Sequence, residues 1–147
     1  MDAFDADVLI YAGIANHPLG RRVAALFSAA SVGGARRVGV GSVLLLPELL
    51  SKPLRNEDAA AVTTLSGFLA RLDLRPVDRA IAARAAVLGA QYKLHAADAT
   101  HLATAISMGA HRLHHQQRQG LRRVYRGDRD HLPRRPPRSG LAPGYRR

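Results

Sequence analysis

The sequence predicts an α/β fold built on a parallel sheet with helices on both faces. Two observations predict it. Over residues 1–110, short apolar stretches that read as strands alternate with longer stretches of helical period, the pattern of repeated βα units. In addition, three carboxylates, Asp5, Glu48 and Asp98, each stand inside an apolar stretch, far apart in the chain. Acidic side chains are rarely buried unless paired or metal-bound. Three of them in such settings point to one shared site, and sheet-end carboxylates at a crevice fit the usual place for α/β sites.

The elements follow in order. Ala3-Phe4 and Val8-Leu9-Ile10 are broken by Asp5 and Asp7. A first strand ends near Asp5 and a helical turn follows, with Asp7 as its N-cap. Leu19, Val23, Leu26 and Phe27 recur at helical spacing, so His17 to Ala30 is a helix. Gly33-Gly34 is a turn, and Arg37-Val38-Gly39-Val40 a second strand. Ser42 is a candidate N-cap of a helix through Leu50, in which Pro47 demands a kink or a later start. Asn56-Glu57-Asp58 caps a helix to about Leu72, with Val62, Leu65, Phe68 and Leu69 inward. Asp73 to Val77 is a short strand. Asp78 caps a helix through Leu88 that Gly89 ends. Ala96 to Ala110 is a further helix, stopped near Gly109.

A chain of 147 residues is long enough for one domain with a real core. It has no cysteine, which excludes disulfides and thiolate metal sites and fits a reducing compartment. No signal peptide is visible, and no apolar run approaches the roughly 20 residues of a membrane span. A cytoplasmic protein with no membrane partner is expected. The net charge of +11 is uneven: residues 1–110 carry 11 Lys/Arg against 9 Asp/Glu, and residues 111–147 carry 11 Arg against 2 Asp. The basicity belongs to the last quarter, which is rich in Arg, Pro, Gly and Gln and lacks apolar periodicity. Residues 1–112 are therefore expected to form the domain, and 113–147 a basic, disordered tail.

Each site residue has a plainer reading. Asp5 could end a strand at a turn, but Asp7 already suits the turn. Glu48 could be exposed on an amphipathic helix, but Leu44, Leu45 and Leu49 leave little polar face. Asp98 could favour the helix N-terminus through the dipole, yet it shares a face with Leu102, Ala105 and Ile106 and so points inward. His101, three residues on, reads as a surface residue, with metal ligation or RNA contact as the other reading. Thr100 is uninformative, Arg21 and Arg22 read as solvated helix charges, and Tyr11 as core. Converging carboxylates suit a hard divalent cation. Mg²⁺ is held by one or two carboxylates, keeps several waters, and provides the nucleophilic water and charge stabilisation that phosphodiester hydrolysis needs.

Phe4-Asp5-Ala6-Asp7-Val8-Leu9-Ile10-Tyr11-Ala12 resembles the opening strand of a PIN-domain nuclease: an apolar residue, Asp, a small residue, any residue, then an apolar run. Leu46-Pro47-Glu48-Leu49-Leu50 resembles the second acidic motif of that family, and Ala97-Asp98-Ala99-Thr100-His101-Leu102-Ala103-Thr104-Ala105 the third. Length and order match the VapC branch, the toxins of type II toxin–antitoxin pairs, over roughly residues 2–110. The resemblance implies a three-layer α/β/α fold and Mg²⁺- or Mn²⁺-dependent endoribonuclease activity on RNA. It implies a homodimer neutralised by a small cognate antitoxin. It puts metal ligation on Asp5 and Asp98, makes Glu48 the third catalytic residue, and lets Asp7 support the site from nearby.

The ending departs from that family, which continues with a strand, a Thr-Asn motif and often a fourth acidic residue. Moved by one nucleotide, codons for His114-His115-Gln116-Gln117-Arg118-Gln119-Gly120-Leu121 permit Ile-Thr-Asn-Asn-Ala-Lys-Asp-Phe. Codons for residues 126–133 permit Glu-Glu-Ile-Glu-Ile-Thr-Tyr-Pro. Residues from about 113 onward are thus expected to be a frameshifted read, by mutation or sequencing error, with the last parallel strand lost and activity impaired. The tail arginines are then accidental; at face value they would form a phosphate-binding arm. The rival function is a catalytically inactive nucleic-acid- or partner-binding module that keeps the fold.

Overall fold

The computed structural model describes residues 1–14, 16–32, 37–115 and 125–126. The elements run β1 (Asp2–Phe4), α1 (Ala6–Ala12), α2 (Pro18–Val32), β2 (Gly39–Ser42), α3 (Leu45–Arg55), α4 (Ala59–Ala70), β3 (Leu72–Arg75), α5 (Arg79–Tyr92), α6 (Ala96–Ser107), β4 (Arg112–His114) and β5 (Tyr125–Arg126). The sheet order is β3-β2-β1-β4-β5. The first four strands are mutually parallel and β5 pairs antiparallel with β4.

The strands are short, and their period of two splits the core cleanly. Phe4 and Leu72 face one way, into a cluster with Leu9, Val23, Phe27, Leu45, Leu49, Leu65 and Leu69. Ala3, Val40 and Leu113 face the other way, against Ile81, Ala85, Leu88, Leu102 and Ala103. Helices α1 to α4 therefore cover one face and α5 and α6 the other, which gives the three-layer α/β/α arrangement the sequence predicts. Phe27 ties the first layer together, with its ring centroid 5.3 Å from Phe4 and 4.9 Å from Phe68. Gly20 lets α2 cross α1 closely: a Cβ there would lie 1.9 Å from the Tyr11 carbonyl oxygen. Among the described residues no helix is long and apolar enough to cross a membrane.

Several local expectations change. Asp5, not Asp7, caps α1, accepting the Ala6 N–H at 2.6 Å. Helix α3 begins at Leu45, after Ser42 Oγ has accepted the Leu44 N–H at 3.2 Å. Pro47 then lies in the first turn, where its missing N–H has no intrahelical partner to lose. Helix α4 ends at Ala70, because Leu72 already belongs to β3. Helix α5 passes through Gly89 to Tyr92 and ends on Lys93, whose φ of 55° is left-handed. Helix α6 stops at Ser107, and Gly109 takes φ +65° just beyond it. Tyr11 is half-buried and stacks on His17, with centroids 4.2 Å apart.

The strand expected to be lost after α6 is present. Arg112–His114 pairs in parallel with β1, Ala3 opposite Leu113, and Leu113 is buried. Leu113 supplies the apolar side chain that this position of the sheet requires, whatever reading frame follows it. The Gly33-Gly34 turn, and the tail from 116 apart from Tyr125–Arg126, lie outside the described residues.

Candidate metal centre

Parallel strands put their C-terminal ends on one edge, and the site is built there. Asp5 directly follows β1. Its backbone N–H extends the ladder to His114 O at 3.0 Å, so the next residue on that side, His115, falls beside it. Glu48 comes from the first turn of α3, which β2 feeds. Helix α6 runs back along the sheet before β4, so its N-terminal turn, with Asp98, returns to the same edge. One helical turn further, His101 faces the same way.

Two groups of potential metal donors result, both using Asp5. The ligand atoms of Asp5, Glu48 and His101 lie within 4.8 Å of one another, as do those of Asp5, Asp98 and His115. Asp5 is only 4% exposed and His101 2%. Glu48 keeps its side chain 31% exposed, open to solvent. The structure thus brings the three sequence-predicted carboxylates to one edge, with Asp5 as the member common to both groups.

His101 Nε2 bonds Glu48 Oε2 at 2.6 Å and lies 3.7 Å from Asp5 Oδ1. His115 Nδ1 bonds the other oxygen, Asp5 Oδ2. Burial alone would raise the Asp5 carboxyl. The His115 hydrogen bond, the charges of His101 and His115 and the Ala6 N–H outweigh it and hold the pKa below 3.8. Burial would likewise lower His101, but the Glu48 hydrogen bond and the charges of Asp5, Glu48 and Asp98 raise it above 6.5. The Asp5 hydrogen bond raises His115 first, against burial, with help from the charges of Asp5, Asp98 and Asp7. His101 Nδ1 is buried with no hydrogen-bond partner among the described residues. When the ring is neutral its hydrogen therefore sits on Nε2 and is donated to Glu48, since a buried Nδ1–H without an acceptor would cost about 1–3 kcal/mol.

Three carboxylates around imidazoles fit a divalent cation in both charge and donor type. The buried Asp5 is already arranged for the anionic form that a cation requires.

Two residues of this edge differ from the sequence reading. His101 is buried rather than on the surface, because α6 is enclosed by the sheet and α5 over Ala99 to Ala105. Its position three residues after Asp98 was the available signal. His115 belongs to the expected tail; its place two residues after the apolar Leu113 is the hint. Arg21 and Arg22 are exposed, as solvated charges are.

A family model described as PIN domain matches residues 3–127. Neither a comparison with curated proteins nor one with solved structures found a match.

Proposed function

The chain belongs to the PIN-domain family, and on that premise we propose that it is a Mg²⁺- or Mn²⁺-dependent endoribonuclease, the VapC-like toxin of a type II toxin–antitoxin pair. PIN domains are generally nucleases, acting on nucleic acid and typically using divalent metals. The observation that carries the reading is the single carboxylate of Asp5 shared between two donor groups at the sheet edge.

In this reading Asp5 and Asp98 hold the cation. A bound divalent cation would supply a nucleophilic water at neutral pH and charge stabilisation on the phosphate. Glu48, steadied by the His101 Nε2–H, orients the attacking water from the solvent side. The carboxylates alone would repel an RNA phosphate, so their productive state is the neutralised one. The partners that go with the reading are an RNA substrate, a small antitoxin and a second copy of the chain, in the cytoplasm.

The test is RNA cleavage by the purified chain with Mg²⁺ or Mn²⁺ and with chelator. Asp98→Asn keeps the shape and removes a ligand charge. Cleavage should fall about 100-fold or more, together with metal affinity, and a thermal melt shows that the variant is folded. Cleavage by Asp98→Asn at the parent rate would move the site elsewhere. An antitoxin gene beside this one would support the toxin role.

The second reading, an inactive binding module, is favoured by one observation: the His115 imidazole already engages Asp5 Oδ2. Parent protein that binds RNA and cleaves none would decide for it. The same proposal keeps residues from about 113 onward as a frameshifted ending. The gene's nucleotide sequence tests it, and a shifted frame with an early stop or no family-like ending would refute it.

A further inference from the structure

The Asp5, Asp98 and His115 group differs from an all-oxygen site in one donor. The register of β4 on β1 sets His114 opposite Phe4, and the His114 ring stacks on Phe4 with centroids 4.9 Å apart. His114 Nε2 also bonds Asp2 Oδ2 at 3.0 Å. These interactions fix the strand end and deliver His115 Nδ1 to Asp5 Oδ2. The His115 side chain is 16% exposed, so the ring is held at the mouth of the site, not free in solvent.

The two imidazoles are not equivalent. A ligating histidine almost always donates its other N–H to a partner. His101 has Nε2 committed to Glu48, and its Nδ1 is buried with no acceptor among the described residues. It is a positioning residue for Glu48. His115 differs in its second nitrogen: Nε2 is not among the buried atoms left without a partner, while Nδ1 already faces Asp5 Oδ2 from the open side.

Mg²⁺ demands oxygen donors and gives up water reluctantly. Imidazole nitrogen suits the later first-row metals, whose affinities for nitrogen-containing sites rise along the series to copper. We propose that His115 converts the Asp5–Asp98 pair into a mixed nitrogen–oxygen site that selects a late first-row dication, of the Co²⁺ or Zn²⁺ type, over Mg²⁺. The inference rests on the metal-centre reading of the previous subsection and changes its ion, replacing Mg²⁺ by a dication that accepts a nitrogen donor. It ties selectivity to one residue of this chain's ending. The shifted-frame codons permit Thr at position 115, which would return the group to oxygen donors.

Isothermal titration of the metal-stripped full chain with Co²⁺ and with Mg²⁺ gives the two dissociation constants. Cobalt binds most oxygen sites somewhat better than magnesium, so the decisive quantity is how their ratio changes. His115→Ala and His115→Thr should each weaken Co²⁺ by about 10–100-fold and leave Mg²⁺ within about twofold. Thermal melts show whether the variants are folded. A measurement on the parent alone guards against a misfolded variant: imidazole ¹⁵N spectra should show the His115 Nδ1 signal shifting on adding Zn²⁺ and not on adding Mg²⁺. An unchanged Co²⁺/Mg²⁺ ratio in folded variants, or an unmoved His115 signal, overturns the inference alone. Co²⁺ binding that survives Asp5→Asn overturns it too, by placing the ion on other histidines. A parent that binds no dication overturns both the inference and the metal-centre reading beneath it.

Discussion

Asp5 does three things with two oxygens. Oδ1 caps α1 through the Ala6 N–H and lies near the His101 ring, while Oδ2 takes His115. Its charge is therefore worth more in the folded chain than in the unfolded one, and the two imidazoliums share the gain. Asp5 is lowered from 3.8, so its contribution is present above that value and lost as pH falls through the lower folded pKa. His101 and His115 are raised from 6.5, so theirs is complete below 6.5 and lost as pH rises through the higher folded values. Metal-free protein should be most stable between these limits and should melt lower as pH is raised past 6.5. With a dication present the trend should reverse, since metal and protons compete for the same cluster. Melting temperature against pH, with and without metal, is the check; a metal-free curve that climbs from 6.5 into alkali would mean the imidazoles are not charged partners of Asp5. At this scale the carboxylates were legible because an acid in an apolar stretch is conspicuous. The histidines were not, since a histidine in an Ala-rich helix or a basic ending looks like any surface residue until its neighbours in space are known.

The elements were legible where one local interaction decides them. Asp58 Oδ1 accepts the Ala61 N–H at 2.9 Å and Asp78 Oδ1 the Ile81 N–H at 2.8 Å, both as N-caps anticipate. Gly89 misled because glycine ends a helix only where the chain must turn left-handed. Here Ala90, Gln91 and Tyr92 continue the helix, and Lys93 makes that turn. The loss expected after Ala110 failed for a different reason: three residues with one buried leucine suffice for a strand already flanked by β1. Asp78→Ala should cost about 1 kcal/mol of stability through the unsatisfied end of α5, read from urea melts, with dication affinity unchanged. The cap lies on an element that contributes no carboxylate to the site. A drop in metal affinity equal to that of Asp98→Asn would show that α5 controls the position of α6, against which it packs.

Across the whole molecule, charge and site are separated along the chain. The cluster at the sheet edge is anionic, while the ending carries 11 Arg against 2 Asp over residues 111–147. Position 112 is an unsound place to cut, because β4 begins there and Leu113 and His115 follow it into the core and the site. Ending the chain after 127 instead keeps the whole family match and removes 6 Arg and 2 Asp. If the arginines act only as diffuse positive charge, that shorter chain should bind RNA more weakly. The slope of log affinity on log salt should flatten by about 0.7 for each phosphate of a single strand that is no longer neutralised. Cleavage at saturating RNA and dication affinity should stay near the parent values, because Asp5, Glu48, Asp98, His101 and His115 all remain. The chain ended after 112 should lose metal affinity and melt lower, since it discards a buried strand and a donor at once. Titrations of both truncations with RNA at several salt concentrations, alongside Co²⁺ and Mg²⁺ titrations, separate the cases. A 127-residue chain that folds, binds metal like the parent and cleaves nothing at saturating RNA would make the last 20 residues part of the working enzyme, and the proposal of a frameshifted tail would have to be given up.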